Sequence, residues 1–91
     1  MASTHKVAVF YAEGCHLCER ARGQLARLRD ELGFELDEVD IGGDPALEAD
    51  YRAWLPVIEI DGRRRFVYYL QEEPFRRALG QLRERPPNPP C

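Results

Sequence analysis

The chain has 91 residues, room for one hydrophobic core and too little for two domains. Hydrophobic residues make up 44%, and 13 Lys+Arg against 16 Asp+Glu leave a formal charge of -3. Such mild acidity argues against general binding to nucleic acid or anionic membrane, and no apolar run approaches the roughly 20 residues that span a bilayer. The apolar run Val7–Tyr11 is too short, and too soon followed by charge, for a secretory signal, so a cytoplasmic protein is expected. Three cysteines, Cys15, Cys18 and Cys91, are too few and odd in number for a disulfide scaffold. In a reducing cytosol the close pair reads as reactive or metal-binding.

Val7-Ala8-Val9-Phe10-Tyr11 is continuously apolar, which predicts a strand buried on both faces. Gly14 breaks the chain. Cys18, Ala21, Leu25, Leu28 and Leu32 then recur at spacings of three and four, one face of a helix that Gly33 ends. Leu36, Val39 and Ile41 mark a second strand. Asp44-Pro45 reads as an N-cap followed by proline at the first helical position, opening a short helix with Leu47 and Tyr51 one turn apart.

Leu55-Pro56 interrupts, and Val57–Ile60 forms a third strand. Asp61-Gly62 is a hairpin signal, Arg63-Arg64-Arg65 a lead-in, and Phe66–Tyr69 an antiparallel fourth strand. Phe75, Ala78, Leu79 and Leu82 give a last helix its buried face. Residues 1–85 form one domain, and the proline-rich 86–91 cannot extend the helix and read as an extended tail. The order is βαβαββα: an α/β fold with helices on both faces of a four-stranded mixed sheet, its first βαβ unit parallel and right-handed.

Cys15-His16-Leu17-Cys18 follows a strand and opens a helix, and that setting makes the spacing informative. One helical turn brings two such sulfurs within disulfide reach. The first cysteine meets the unpaired N–H groups and positive end of the helix, which favour its thiolate. Cys18, on the apolar face, is expected to be less exposed. The roles follow: Cys15 attacks a disulfide and Cys18 resolves the mixed disulfide. A structural zinc site would need a second ligand pair, and His5, His16 and Cys91 are not spaced as one.

Gly14-Cys15-His16-Leu17-Cys18 after a strand, Leu55-Pro56-Val57 opening the third strand, and Asp61-Gly62 at the hairpin resemble glutaredoxin-like members of the thioredoxin superfamily. The likeness covers about residues 6–83 and implies a thioredoxin-like three-layer fold. It also implies a cis Leu55–Pro56 bond beside the sulfurs, with Leu55, Pro56 and Val57 offering a groove to an extended thiol substrate. The chain departs from the family pattern at Ala12, where glutathione-binding relatives carry lysine, and at Gly14, where thioredoxins carry tryptophan. It departs again at Leu70-Gln71-Glu72-Glu73, where a Gly-Gly-Asp-like turn is usual. The resemblance therefore leaves the electron donor open between glutathione and a thioredoxin reductase.

The expected activity is exchange with protein or low-molecular-weight disulfides by a monomer, with no bound organic cofactor and glutathione as a candidate reductant. The same cysteines suit a second reading, a metal or iron–sulfur carrier. A third is a non-catalytic adaptor, which would have no need of both cysteines. His16 reads either as an imidazolium that tunes Cys15 or as an exposed turn residue. Arg63-Arg64-Arg65 reads as a solvated hairpin end, Trp54 as a groove wall or a core plug, and Tyr11 and Tyr68 as core or sheet residues. Cys91 reads as a free thiol on the tail.

Overall fold

The computed structural model describes residues 5–83, so the tail 86–91, Cys91 and the domain end at 85 lie outside it. Strand β1 (Lys6–Tyr11) leads to helix α1 (His16–Leu32), β2 (Glu35–Asp40) and the short α2 (Pro45–Tyr51). A single 3₁₀ turn, Arg52–Trp54, precedes β3 (Val57–Ile60), β4 (Arg63–Val67) and α3 (Glu72–Arg83). The sheet order is β2-β1-β3-β4, with β1 parallel to β2 and antiparallel to β3, and β4 antiparallel to β3. This is the expected four-stranded mixed sheet of a thioredoxin-like fold. No helix among the described residues is long and apolar enough to cross a membrane.

Side chains of a strand alternate between faces, and the core forms on one of them. Val7 and Val9 of β1 pair with Ile60 and Ile58 of β3, and these four bury against Ala21, Leu25 and Leu28 of α1 and Phe75, Ala78 and Leu79 of α3. Phe75 is fully buried between Phe34, at 5.5 Å, and Phe66, at 6.2 Å. Burying side chains of this size stabilises by about 1.5–3 kcal/mol each. Surface pairs Arg27–Glu72 and Arg76–Glu31 join α3 to α1, so the two helices run alongside in the same direction.

The opposite face is thinner. Strand β1 was expected to be buried on both sides, yet Ala8, Phe10 and Tyr11 stay partly accessible. The cause is α2, which has seven residues and none of them fully buried. Its hold on the sheet is Tyr51, stacked on Phe10 with ring centroids 4.1 Å apart and donating its hydroxyl to Glu59 at 2.8 Å. Leu32 also departs from expectation: as the last residue of α1, it is exposed. The side chain of Leu82 lies outside the described residues.

The hairpin corrects a strand boundary. Asp61 and Gly62 both take positive φ, 52° and 86°, as a two-residue type I′ turn requires. That turn closes at once, so Arg63 pairs with Ile60 and the arginines belong to β4 rather than leading into it. A bulge between Ile58 and Glu59 then shifts the register, and the strand ends at Val67, not Tyr69. Exposed Arg63, Arg64 and Arg65 fit the solvated reading, with Arg64 lying over the Tyr51 ring at 4.8 Å.

Asp61 also staples β1. Its carboxylate accepts the Lys6 N–H at 2.9 Å and meets His5 Nδ1 at 2.9 Å, and its own N–H donates to the Lys6 carbonyl at 2.7 Å. The Lys6 N–H, and then His5, hold the carboxyl below the usual aspartate range. The unfolded pKa is near ~3.9. A folded value below it means the stabilisation is complete above the unfolded value and lost as pH falls through the folded one. Asn tolerates positive φ as Asp does, so Asp61→Asn isolates the charge. In urea melts, wild type should exceed Asp61→Asn in stability by its full margin above about pH 5, and the gap should close toward about pH 2.5. A gap undiminished in acid would contradict the staple.

Candidate functional site

Gly14, at φ 80°, supplies the left-handed step that turns the chain from β1 into α1. The Cys15 N–H closes this turn on the Ala12 carbonyl at 3.3 Å. Cys15 is the N-cap of α1: its backbone is extended, at φ -95° and ψ 107°, and its Sγ accepts the Cys18 N–H at 3.2 Å. Its carbonyl takes the first helical bond, from the Glu19 N–H at 3.0 Å. Sulfur thus occupies the place that a serine or aspartate oxygen fills at most helix starts.

The Cys15 and Cys18 sulfurs are at bonding distance and their Cα atoms are 5.2 Å apart. The two cysteines differ in access. Cys18 is fully buried on the α1 stripe, whereas Cys15 is partly accessible. His16 between them is exposed and makes no side-chain hydrogen bond among the described residues. Arg22, one turn further, fixes the helix to the sheet. Its guanidinium lies 4.0 Å over the Tyr11 ring and bonds Glu38 at 2.7 Å, and the Glu38 hydrogen bond raises the arginine's pKa.

The Leu55–Pro56 bond is cis. Phe10 pairs with Val57, so Pro56 immediately precedes β3 at the same sheet end from which Tyr11 and the Ala12–Cys15 turn depart. Pro56 and Val57 are buried, and Leu55 is partly exposed. The sequence-predicted residues therefore gather at one end of the sheet.

Residues not singled out for this site complete it. A cleft of about 270 Å³ is lined by Leu17, Arg20, Ala21 and Gln24 of α1 and by Tyr68, Tyr69 and Leu70 beyond β4. Its floor is fixed by Gln24, whose amide reaches Glu72 at 3.1 Å, while Arg27 bonds the same carboxylate and holds it ionised below its usual range. Tyr68 and Tyr69 are exposed, as is Trp54, whose ring lies 6.1 Å from that of Tyr68. Trp54 is therefore no core plug, and Tyr68 is neither a core nor a strand residue, which corrects those two readings. Consecutive tyrosines cannot share one face of a strand, and that was the available signal. Among the described residues no cluster of three or more His, Cys, Asp or Glu side chains could hold a metal ion.

The family model described as "Glutaredoxin-like domain (DUF836)" matches residues 6–80. Similar chains include the uncharacterized proteins Rv0508 of Mycobacterium tuberculosis and Mb0520 of Mycobacterium bovis. Each is 34% identical over 84 residues, covering 87% of either chain. The solution structure of protein Ne2328 from Nitrosomonas europaea is similar at TM-score 0.72 and 27% identity, covering 92% of this chain and 96% of that one. A mutant thioredoxin from Halobacterium salinarum shares the fold at TM-score 0.70 and 19% identity, covering 93% of this chain and 80% of that one. With the model spanning almost the whole described structure, the chain belongs to the glutaredoxin-like family of the thioredoxin superfamily.

Proposed function

We propose that the protein is a thiol–disulfide oxidoreductase in which Cys15 attacks and Cys18 resolves, acting on protein or low-molecular-weight disulfides in the cytoplasm. The observation that carries this reading is the Cys15 sulfur at the N-cap of α1, accepting the Cys18 N–H. In the reduced protein the same N–H and the positive helix end favour a thiolate at Cys15, the species that attacks.

The Cys15 thiolate attacks one sulfur of a substrate disulfide. The substrate S–S bond breaks, a mixed disulfide forms, and the departing thiolate takes a proton from solvent. Cys18 then loses its proton and attacks the Cys15 sulfur, releasing the second substrate thiol. Two electrons have passed from the dithiol to the substrate, and a Cys15–Cys18 disulfide remains. Two molecules of glutathione, or one dithiol reductase, return the electrons, so no bound organic cofactor is required. Leu55, partly exposed in front of buried Pro56 and Val57, offers the edge against which the substrate lies.

Two measurements test this. Iodoacetamide should modify Cys15 of the reduced protein with a pH midpoint well below the ~8.5 of free cysteine, leaving Cys18 protected until unfolding. Equal profiles for the two residues would contradict the geometry. Cys18→Ser should accumulate a mixed disulfide with substrate, and Cys15→Ser should form none. Trapping by the Cys15 variant would reverse the roles.

A further inference from the structure

The backbone at Tyr68 is unusual. Its φ is 69°, a left-handed value that bulky side chains rarely adopt. The Tyr69 N–H closes back on the Val67 carbonyl at 2.7 Å, so Tyr68 is the central residue of a three-residue γ-turn of the rare, positive-φ kind. Glycine would enter such a turn without strain. Conformations of this sort persist where surrounding contacts over-determine them, and they cluster at functional sites.

Those contacts converge on one segment. The Tyr68 N–H donates to the Pro56 carbonyl at 3.0 Å, and its hydroxyl donates to the Ala53 carbonyl at 2.9 Å. One residue thus grips both ends of the Ala53–Pro56 segment, and its ring stands over Trp54 between those two anchors. On its other side Tyr68 lines the cleft with Leu17, which lies between the two cysteines, and with Arg20. The side chain that fixes the proline segment is therefore also a wall of the cleft beside the motif.

We infer that Tyr68 is a positioning residue: through its two bonds to Pro56 and Ala53 it sets the proline segment and the cleft wall in the arrangement that binds a disulfide-bearing polypeptide. The inference rests on the oxidoreductase reading. It explains why a strained tyrosine stands at this corner: glycine could make the turn and the Pro56 bond, but it has no hydroxyl for Ala53. Neither bond touches Cys15, so the residue acts on substrate binding and not on the reactivity of the thiol.

Tyr68→Phe tests this, because it removes only the hydroxyl and keeps the ring and the turn. A hydrogen bond of this kind is worth a factor of about five in an equilibrium. Reduction of insulin, with dithiothreitol as electron donor, should lose about fivefold or more in kcat/KM, chiefly through a raised KM. The iodoacetamide rate of Cys15 should stay within about twofold, and the amide of residue 68 should exchange its hydrogen about fivefold faster as the segment loosens. An insulin kcat/KM within about twofold of wild type would overturn the inference while leaving the oxidoreductase reading intact. So would a loss matched by an equal loss in Cys15 alkylation, since that reports a general disturbance. Cys15→Ser provides the control: if wild type reduces insulin no faster than this variant, both readings fall together.

Discussion

The burial of one helical stripe against one face of the sheet governs the rest of the molecule. Cys18, Ala21, Leu25 and Leu28 are the positions of α1 that exclude water, three of them packing on Val7, Val9, Ile58 and Ile60. Once that stripe is seated, the rotation of α1 about its axis has no freedom left. Cys18 is committed to the interior, and Cys15, three residues earlier, is left at the cap with its sulfur facing the first-turn N–H groups. Hydrophobic packing and the difference in access between the two cysteines thus have a single cause. The surface ion pairs along α1 and α3 contribute little by comparison, since exposed pairs are worth about 0–1 kcal/mol each.

The second half of the site is supported differently. The segment from α2 to β3 has no core of its own and is tied down by three aromatic contacts. Tyr51 is wedged on Phe10 beneath Arg64, and burial, followed by Glu59, raises its pKa above the usual tyrosine range. The Tyr51 clamp fixes the start of the connection and Tyr68 grips its end, with Trp54 left exposed between them. A helix seated on the core therefore faces a segment held by a few aromatic and polar contacts. This division suits the proposed exchange reaction, in which the attacking sulfur would keep its geometry while substrates of differing shape enter and leave.

Much of this was legible in the residues. The α1 stripe was readable because a period of 3.6 leaves a distinctive spacing, and it located the buried cysteine as well as the helix. Gly33, Asp44-Pro45 and Asp61-Gly62 each state a local backbone requirement, and the helix end, helix start and hairpin follow them. What escaped notice is set by tertiary context. The identity of Val7–Tyr11 as an apolar run could not reveal that α2 is too short to cover its second face. The early start of β4 follows from the tight turn, which brings charged Arg63 into the ladder despite its low strand preference. The γ-turn at Tyr68 has no local signature, because its positive φ is maintained by partners at residues 53 and 56. The cleft depends on that turn and was equally hidden.

The central claim is that Cys15 and Cys18 form one two-electron couple independent of Cys91. A redox titration of Cys91→Ser in glutathione buffers, with thiols counted after unfolding, tests it most directly. The account predicts a single two-electron transition that gains two thiols per chain on reduction, with no glutathione retained and no dependence on protein concentration. Oxidation that instead leaves one glutathione on each chain, or links two chains together, would contradict it.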